Sequence, residues 1–128
     1  MFSHIMVGAN DIEASKAFYD ATLGALGYGP GVIDEKGRVF YMTDSGIFAL
    51  SLPIDGNPAG HGNGSTIGFS AASTEAADAW HAAGLASGGV EGGGHRLDLH
   101  TPRLVGCAAA SFALFAPRVE HGSGRDAY

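Results

Sequence analysis

Three side chains in this sequence could together perform acid–base or metal chemistry: His4, Asp98 and His100. Asp98 and His100 stand two apart in Arg96-Leu97-Asp98-Leu99-His100-Thr101, whose alternation is that of a strand, so both project from one face. His4 opens a second strand pattern, His4-Ile5-Met6-Val7. Two imidazoles and a carboxylate are an adequate donor set for a divalent ion such as Zn, Ni, Fe or Mn. The same groups also serve without a metal, with His4 or Asp98 as base and Arg38 or Arg96 stabilising an oxyanion. A plainer reading stands beside these. Asp98 can pair with Arg96 or Arg38, and His100 can be a half-exposed strand residue. A lone strand histidine such as His4 is more often a hydrogen-bonded pocket residue than a ligand. Spacing along the chain does not show convergence across strands.

The remaining candidates carry less. His61 and His95 lie in glycine-rich stretches and read as exposed loop residues, although His61 could cover a cavity mouth. His81 reads as a helix surface residue and His121 as a tail residue. Cys107 has no histidine or carboxylate at a readable spacing, so it is a small buried or loop residue and not a nucleophile. Gly92-Gly93-Gly94 does not sit between a strand and a helix start, which a phosphate loop requires.

The elements that must position these residues come from an internal repeat. A shift of 62 lays Ser3–Ala25 over Ser65–Ser87 without a gap, with eight of 23 positions identical; composition alone gives roughly two. Arg38–Thr43 recurs as Arg96–Thr101 and Phe48–Pro53 as Phe112–Pro117, at offsets of 58 and 64. Three segments in one order imply a duplication. Each copy runs strand, turn, helix, then three strands. In the first, Asn10 or Asp11 caps a helix whose stripe is Ser15, Phe18, Tyr19, Leu23 and Leu26. In the second, Ser73 caps, Ala76, Ala77, Trp80 and Ala83 form the stripe, and Gly84 ends the helix. The strand after each helix is weak, at about Gly31–Asp34 and Gly89–Glu91. Residues 54–64, with four glycines and one proline, read as a linker between modules at 2–53 and 65–117. The modules form one domain over 1–121, and residues 118–128 read as a mobile tail.

Strand alternation divides the side chains between two faces. Ile5, Val7, Val39, Tyr41, Phe48, Leu50 and their counterparts Ile67, Phe69, Leu97, Leu99, Phe112 and Leu114 form the apolar, helix-facing set. The other face then holds His4, Met6, Arg38, Phe40, Met42, Ala49 and Ser51 from the first copy. From the second it takes Thr66, Gly68, Arg96, Asp98, His100, Ala113 and Phe115.

The totals bound the function. A chain of 128 residues with 45% apolar and 16% charged residues suits one globular domain. A net charge of −6, with seven scattered basic residues, does not suit nucleic acid. No run is long and apolar enough to span a membrane, and a single cysteine suits a reducing cytoplasm.

A twice-repeated βαβββ unit of this size resembles the glyoxalase / bleomycin-resistance / dioxygenase (vicinal oxygen chelate) superfamily. The local wording agrees: His4-Ile5-Met6-Val7, Asp11-Ile12-Glu13-Ala14-Ser15-Lys16-Ala17-Phe18-Tyr19, and Gly64-Ser65-Thr66-Ile67-Gly68-Phe69. The resemblance covers residues 2–88 and is to small bacterial glyoxalase-like proteins. Thr101–Ala110 lacks the Asp-Pro-x-Gly-Asn turn usual before the last strand. It implies an α+β fold in which two modules form a U-shaped mixed sheet, helices outside, around a concave site. Metal-dependent members place His, Gln or Glu ligands on the first and last strands of each module. Here those positions hold His4, Thr66, Ala49 or Ser51, and Ala113 or Phe115. One good donor in four implies that the usual metal is absent and that His4 lines a pocket with Met6, Arg38, Phe40, Met42, Ser51, Thr66, Arg96 and Phe115. Two activities follow as expectations. One is a lyase, isomerase or dioxygenase relative acting on a small oxygenated organic molecule, with His4, Asp98 and His100 as its catalytic groups. The other is a ligand-sequestering protein of the bleomycin-resistance kind, which an acidic chain suits because such drugs are cationic. A degenerate relative with only a structural role is a third. The resemblance also implies a homodimer.

Overall fold

The computed structural model describes residues 1–60 and 67–89, with the backbone alone at 96–97 and 107–109. The first strand, β1 (His4–Gly8), leads through Ala9 and Asn10 into helix α1 (Ile12–Ala25). Asp11 starts the helix: its backbone is extended and its carboxylate accepts the Ala14 N–H at 3.0 Å. Gly27, at φ +93°, stops it. The Gly27 N–H bonds to the Gly24 carbonyl and the Tyr28 N–H to that of Leu23, each at 3.0 Å, a Schellman closure that needs a left-handed residue. Helix α2 (Thr74–Ala86) repeats this grammar. Ser73 accepts from the Ala76 N–H, and Gly88 and Gly89 donate to the carbonyls of Leu85 and Gly84. The cap residues Asp11 and Ser73 are 62 apart, the offset of the repeat. The expected stop at Gly84 is corrected to Gly88, at φ +90°. Gly84 is instead buried inside the helix, where Gly89 folds back onto it; a Cβ on Gly89 would lie 2.7 Å from the Gly84 oxygen.

Strands β2 (Val32–Ile33), β3 (Val39–Thr43) and β4 (Gly46–Ser51) follow as hairpins. With β1 they form a four-stranded sheet in the order β1-β4-β3-β2, in which β1 and β4 are parallel and the other pairs antiparallel. The β2–β3 turn closes on Gly37, at φ +74°, and Asp34 Oδ1 accepts the N–H groups of Lys36 and Arg38. Pro53 ends the run after β4, since it cannot donate to a ladder.

The other described strands, β5 (Phe69–Ser70), β6 (Arg96–Leu97) and β7 (Cys107–Ala109), form a second sheet in the order β5-β7-β6. Here β7 is antiparallel to both neighbours, whereas β4 is parallel to β1. Sequence alternation missed β7, because Cys107-Ala108-Ala109 is uniformly small and carries no period-two signal. The strand expected at Phe112–Pro117 and the tail at 118–128 lie outside the described residues.

The helix-facing side chains make the core. Leu23, Val39, Tyr41, Phe48 and Leu50 are buried together, with Val7, Ile12, Tyr19, Leu26, Tyr28, Ile67 and Phe69 packed on them. A second cluster of Ala71, Ala77 and Trp80 joins it through Leu26 and Phe69, as α1 and α2 pack on each other. Asp20 ties the first module. Its Oδ1 accepts the Gly31 N–H and the Tyr41 hydroxyl, each at 2.9 Å, and its Oδ2 accepts Lys16 Nζ at 2.6 Å. The linker is also held. Asn10 accepts the Ala59 N–H at 2.6 Å and donates to the Ala59 carbonyl at 3.1 Å.

Candidate functional site

The register of the four-stranded sheet settles which side chains share a face. His4 lies opposite Ile47, and Met42 follows on β3; Met6 lies opposite Ala49, with Phe40 and Val32 beyond it. These form a largely apolar face with the His4 imidazole at one end and Ser51 at the other. Val32, Met42 and Met6 on it are exposed and Phe40 is half-buried. The expected first-module set of His4, Met6, Phe40, Met42 and Ser51 is therefore on one face. A hollow of about 130 Å³ continues it at the β2–β3 edge, between Tyr28, Gly29, Pro30, Val32, Phe40 and Met42.

Arg38, proposed above to steady an oxyanion, has other partners. Its Nε and Nη2 both donate to Asp34 Oδ2, the former at 2.8 Å, and its guanidinium lies 5.2 Å from the centre of the Phe40 ring. The Arg38 side chain holds the half-buried Asp34 carboxyl below the usual carboxylate range, and backbone N–H groups add to the effect. At the other end, His4 Nδ1 is 2.9 Å from Ser3 Oγ. Asp98, His100, Thr66 and Phe115 lie outside the described residues, as does the side chain of Arg96.

The donor set can be tested against a divalent ion at the described positions. The β4 residues beside His4 on this face are Ile47, Ala49 and Ser51, and Ala49 is wholly buried without a donor atom. Among the described ligand positions, one imidazole and one hydroxyl are too few donors to hold a divalent ion by themselves. Among the described residues no group of three His, Cys, Asp or Glu side chains could hold a metal.

The larger cavity is on the opposite face. It encloses about 360 Å³ and is walled by Ile5, Leu23, Tyr28, Tyr41, Phe48, Ile67 and Phe69, with Ser3, His4, Thr43 and Ser45 at its rim. Sequence alternation places Ile5, Tyr41, Phe48 and Phe69 in the apolar set that packs beneath the helices. The wall residues do follow that pattern, but Ile5 is 36% exposed and lines the cavity with them. Apolar alternation marks a helix-facing residue and is silent on whether a helix reaches it.

The comparisons with known proteins agree with this architecture. The family model of the Glyoxalase/Bleomycin resistance protein/Dioxygenase superfamily matches residues 1–95. A crystal structure of a glyoxalase/bleomycin resistance protein from Albidiferax ferrireducens T118 is similar at 57% identity and a TM-score of 0.71, over 74% of this chain and 76% of that one. A search of curated proteins finds no match. No helix among the described residues is long and apolar enough to cross a membrane. With its capped helix between a parallel β1–β4 pair and a β2–β3–β4 meander, this chain belongs to the Glyoxalase/Bleomycin resistance protein/Dioxygenase superfamily.

Proposed function

We propose that the protein binds a small oxygenated organic molecule against the face carrying His4, Met6, Phe40 and Met42, without a metal on the usual family ligands. The carrying observation is the composition of that face: an exposed apolar platform with one imidazole, and Ala49 where a last-strand ligand would stand. Apolar walls with few polar groups suit a small-molecule site. His4 is the group positioned to hydrogen-bond a ligand oxygen or to move a proton there. If the protein is an enzyme, of lyase, isomerase or dioxygenase type, its acid–base step rests on His4 with Asp98 and His100.

The sequestering reading is favoured by a specific observation. Arg38 is engaged by Asp34 and Phe40, which supports a site without an oxyanion-stabilising cation on this strand. A net charge of −6 suits a cationic guest.

Thermal unfolding of the full chain tests both. Ligand at a hundredfold excess over Kd stabilises by about 2.7 kcal/mol. The expected result is no response to Zn, Ni, Fe or Mn, and a raised Tm with a catechol or a cationic glycopeptide that His4→Ala or Met42→Ala weakens. A metal-induced rise lost in His4→Ala would overturn the metal-free reading. A glycopeptide response without turnover of any vicinal-oxygen substrate would select sequestration.

A further inference from the structure

We propose that the 360 Å³ cavity, walled mainly by helix-facing side chains and bordered by His4, is a second binding site beside the Met6–Phe40–Met42 face, and that it takes a planar aromatic compound bearing a hydrogen-bond donor such as a phenolic hydroxyl. The volume lies in the range of small-molecule sites and holds one or two fused rings. The wall is aromatic in a specific geometry. Phe48 and Phe69 meet edge to face with centroids 5.2 Å apart, and Tyr41 lies 6.0 Å from Phe48 at a 37° tilt. A guest ring extends that packing, which is worth more than its buried area alone.

The polar rim sets the guest's hydrogen-bonding sense. Tyr41 turns its hydroxyl away, to Asp20 Oδ1 at 2.9 Å and the Lys16 carbonyl at 3.2 Å, so it offers only its ring. Thr43 Oγ1 donates its one proton to the Gly46 carbonyl at 2.9 Å. The 3.0 Å contact between Thr43 Oγ1 and Ser45 Oγ then requires Ser45 to be the donor. Ser45 has spent its proton and retains only acceptor lone pairs. A guest that reaches exposed Ser45 binds there by donating, which favours phenols and aromatic amines over ethers of equal size at this part of the rim.

The two faces are separable because the register alternates. Phe48 and Tyr41 are cross-strand partners on the cavity side, while Met6, Phe40 and Met42 take no part in its lining, and only His4 and Ile47 at the sheet's end border both. His4 borders both sites, so Met42 on one side and Ser45 on the other tell them apart. The test is titration of the isotope-labelled full chain with 2-naphthol, a donor, and 2-methoxynaphthalene, an acceptor of similar shape, followed by amide chemical shifts. The expected result is shifts at Ile5, Thr43, Phe48 and Phe69, with 2-naphthol bound at least about fivefold more tightly, the effect of one neutral hydrogen bond. Ser45→Ala, in an exposed turn, should remove that preference with the fold intact. Ile5→Trp, which fills the cavity from its open side, should abolish binding of both. Shifts confined to Met6, Phe40 and Met42, or no binding of either compound, would overturn the site. Equal affinities would overturn the donor requirement.

Discussion

Removing the Asp20 carboxylate should destabilise the first module far more than its position on a helix surface suggests. Three donors converge on it: Lys16 Nζ, the Gly31 N–H and the Tyr41 hydroxyl. Burial alone would raise the Asp20 pKa, but these donors outweigh it and hold the carboxyl below its ordinary value. The Lys16 pair is a partly exposed i,i+4 contact, worth about 0.3–0.5 kcal/mol. The other two links join α1 to the strand-entry loop and to β3. In Asp20→Ala the Gly31 N–H loses its acceptor, and buried Tyr41 keeps only the longer bond to the Lys16 carbonyl. Leaving one buried donor unsatisfied costs about 1–3 kcal/mol. With partial rescue at Tyr41 the total is about 2–4 kcal/mol, or roughly 10 °C in Tm for a domain of this size. Chemical denaturation of Asp20→Ala, Tyr41→Phe and the double variant measures it, and the cycle should show a coupling of about 1 kcal/mol or more. The pH dependence has a definite sign. A depressed folded-state pKa contributes stability above the unfolded value near 4, and that contribution is lost as pH falls through the folded pKa. The acid limb of the stability profile should therefore be shallower in Asp20→Ala. If Asp20→Ala costs no more than Lys16→Ala, or leaves the acid limb unchanged, the tie between helix and sheet does not exist as drawn.

Two further perturbations test the framework. Gly31→Ala should cost about 2 kcal/mol or more, because the added Cβ would meet Val39 Cγ1 and lie 2.6 Å from the Tyr41 ring, with both neighbours fixed in the core; at Gly24, whose Cβ position is open, alanine should leave stability unchanged or raised. Asp11→Ala and Ser73→Ala should each cost about 1 kcal/mol in denaturant unfolding, and similar losses would mark the two caps as counterparts in the repeat.

What the residues determine by themselves is local and periodic. A cap at Asn10 or Asp11, which the structure resolves to Asp11, the cap at Ser73, the strands around Ile5, Tyr41 and Phe48, and the α+β class all follow from side-chain chemistry acting over a few residues. Family wording over the first 88 residues was legible for the same reason. So was the grouping of His4 with Met6, Phe40 and Met42, since a period of two leaves little freedom once the core face is known. Tertiary structure alone decided the rest. Gly84 reads as a helix stop, but Gly89 packs onto it and the stop falls at Gly88. Arg38 reads as an oxyanion stabiliser or a partner of Asp98, but the hairpin turn brings Asp34 to it. The cavity beside Ile5 lies among side chains from separate elements, from Ile5 and Tyr41 to Phe69, a property of packing between elements that no pattern along the chain encodes.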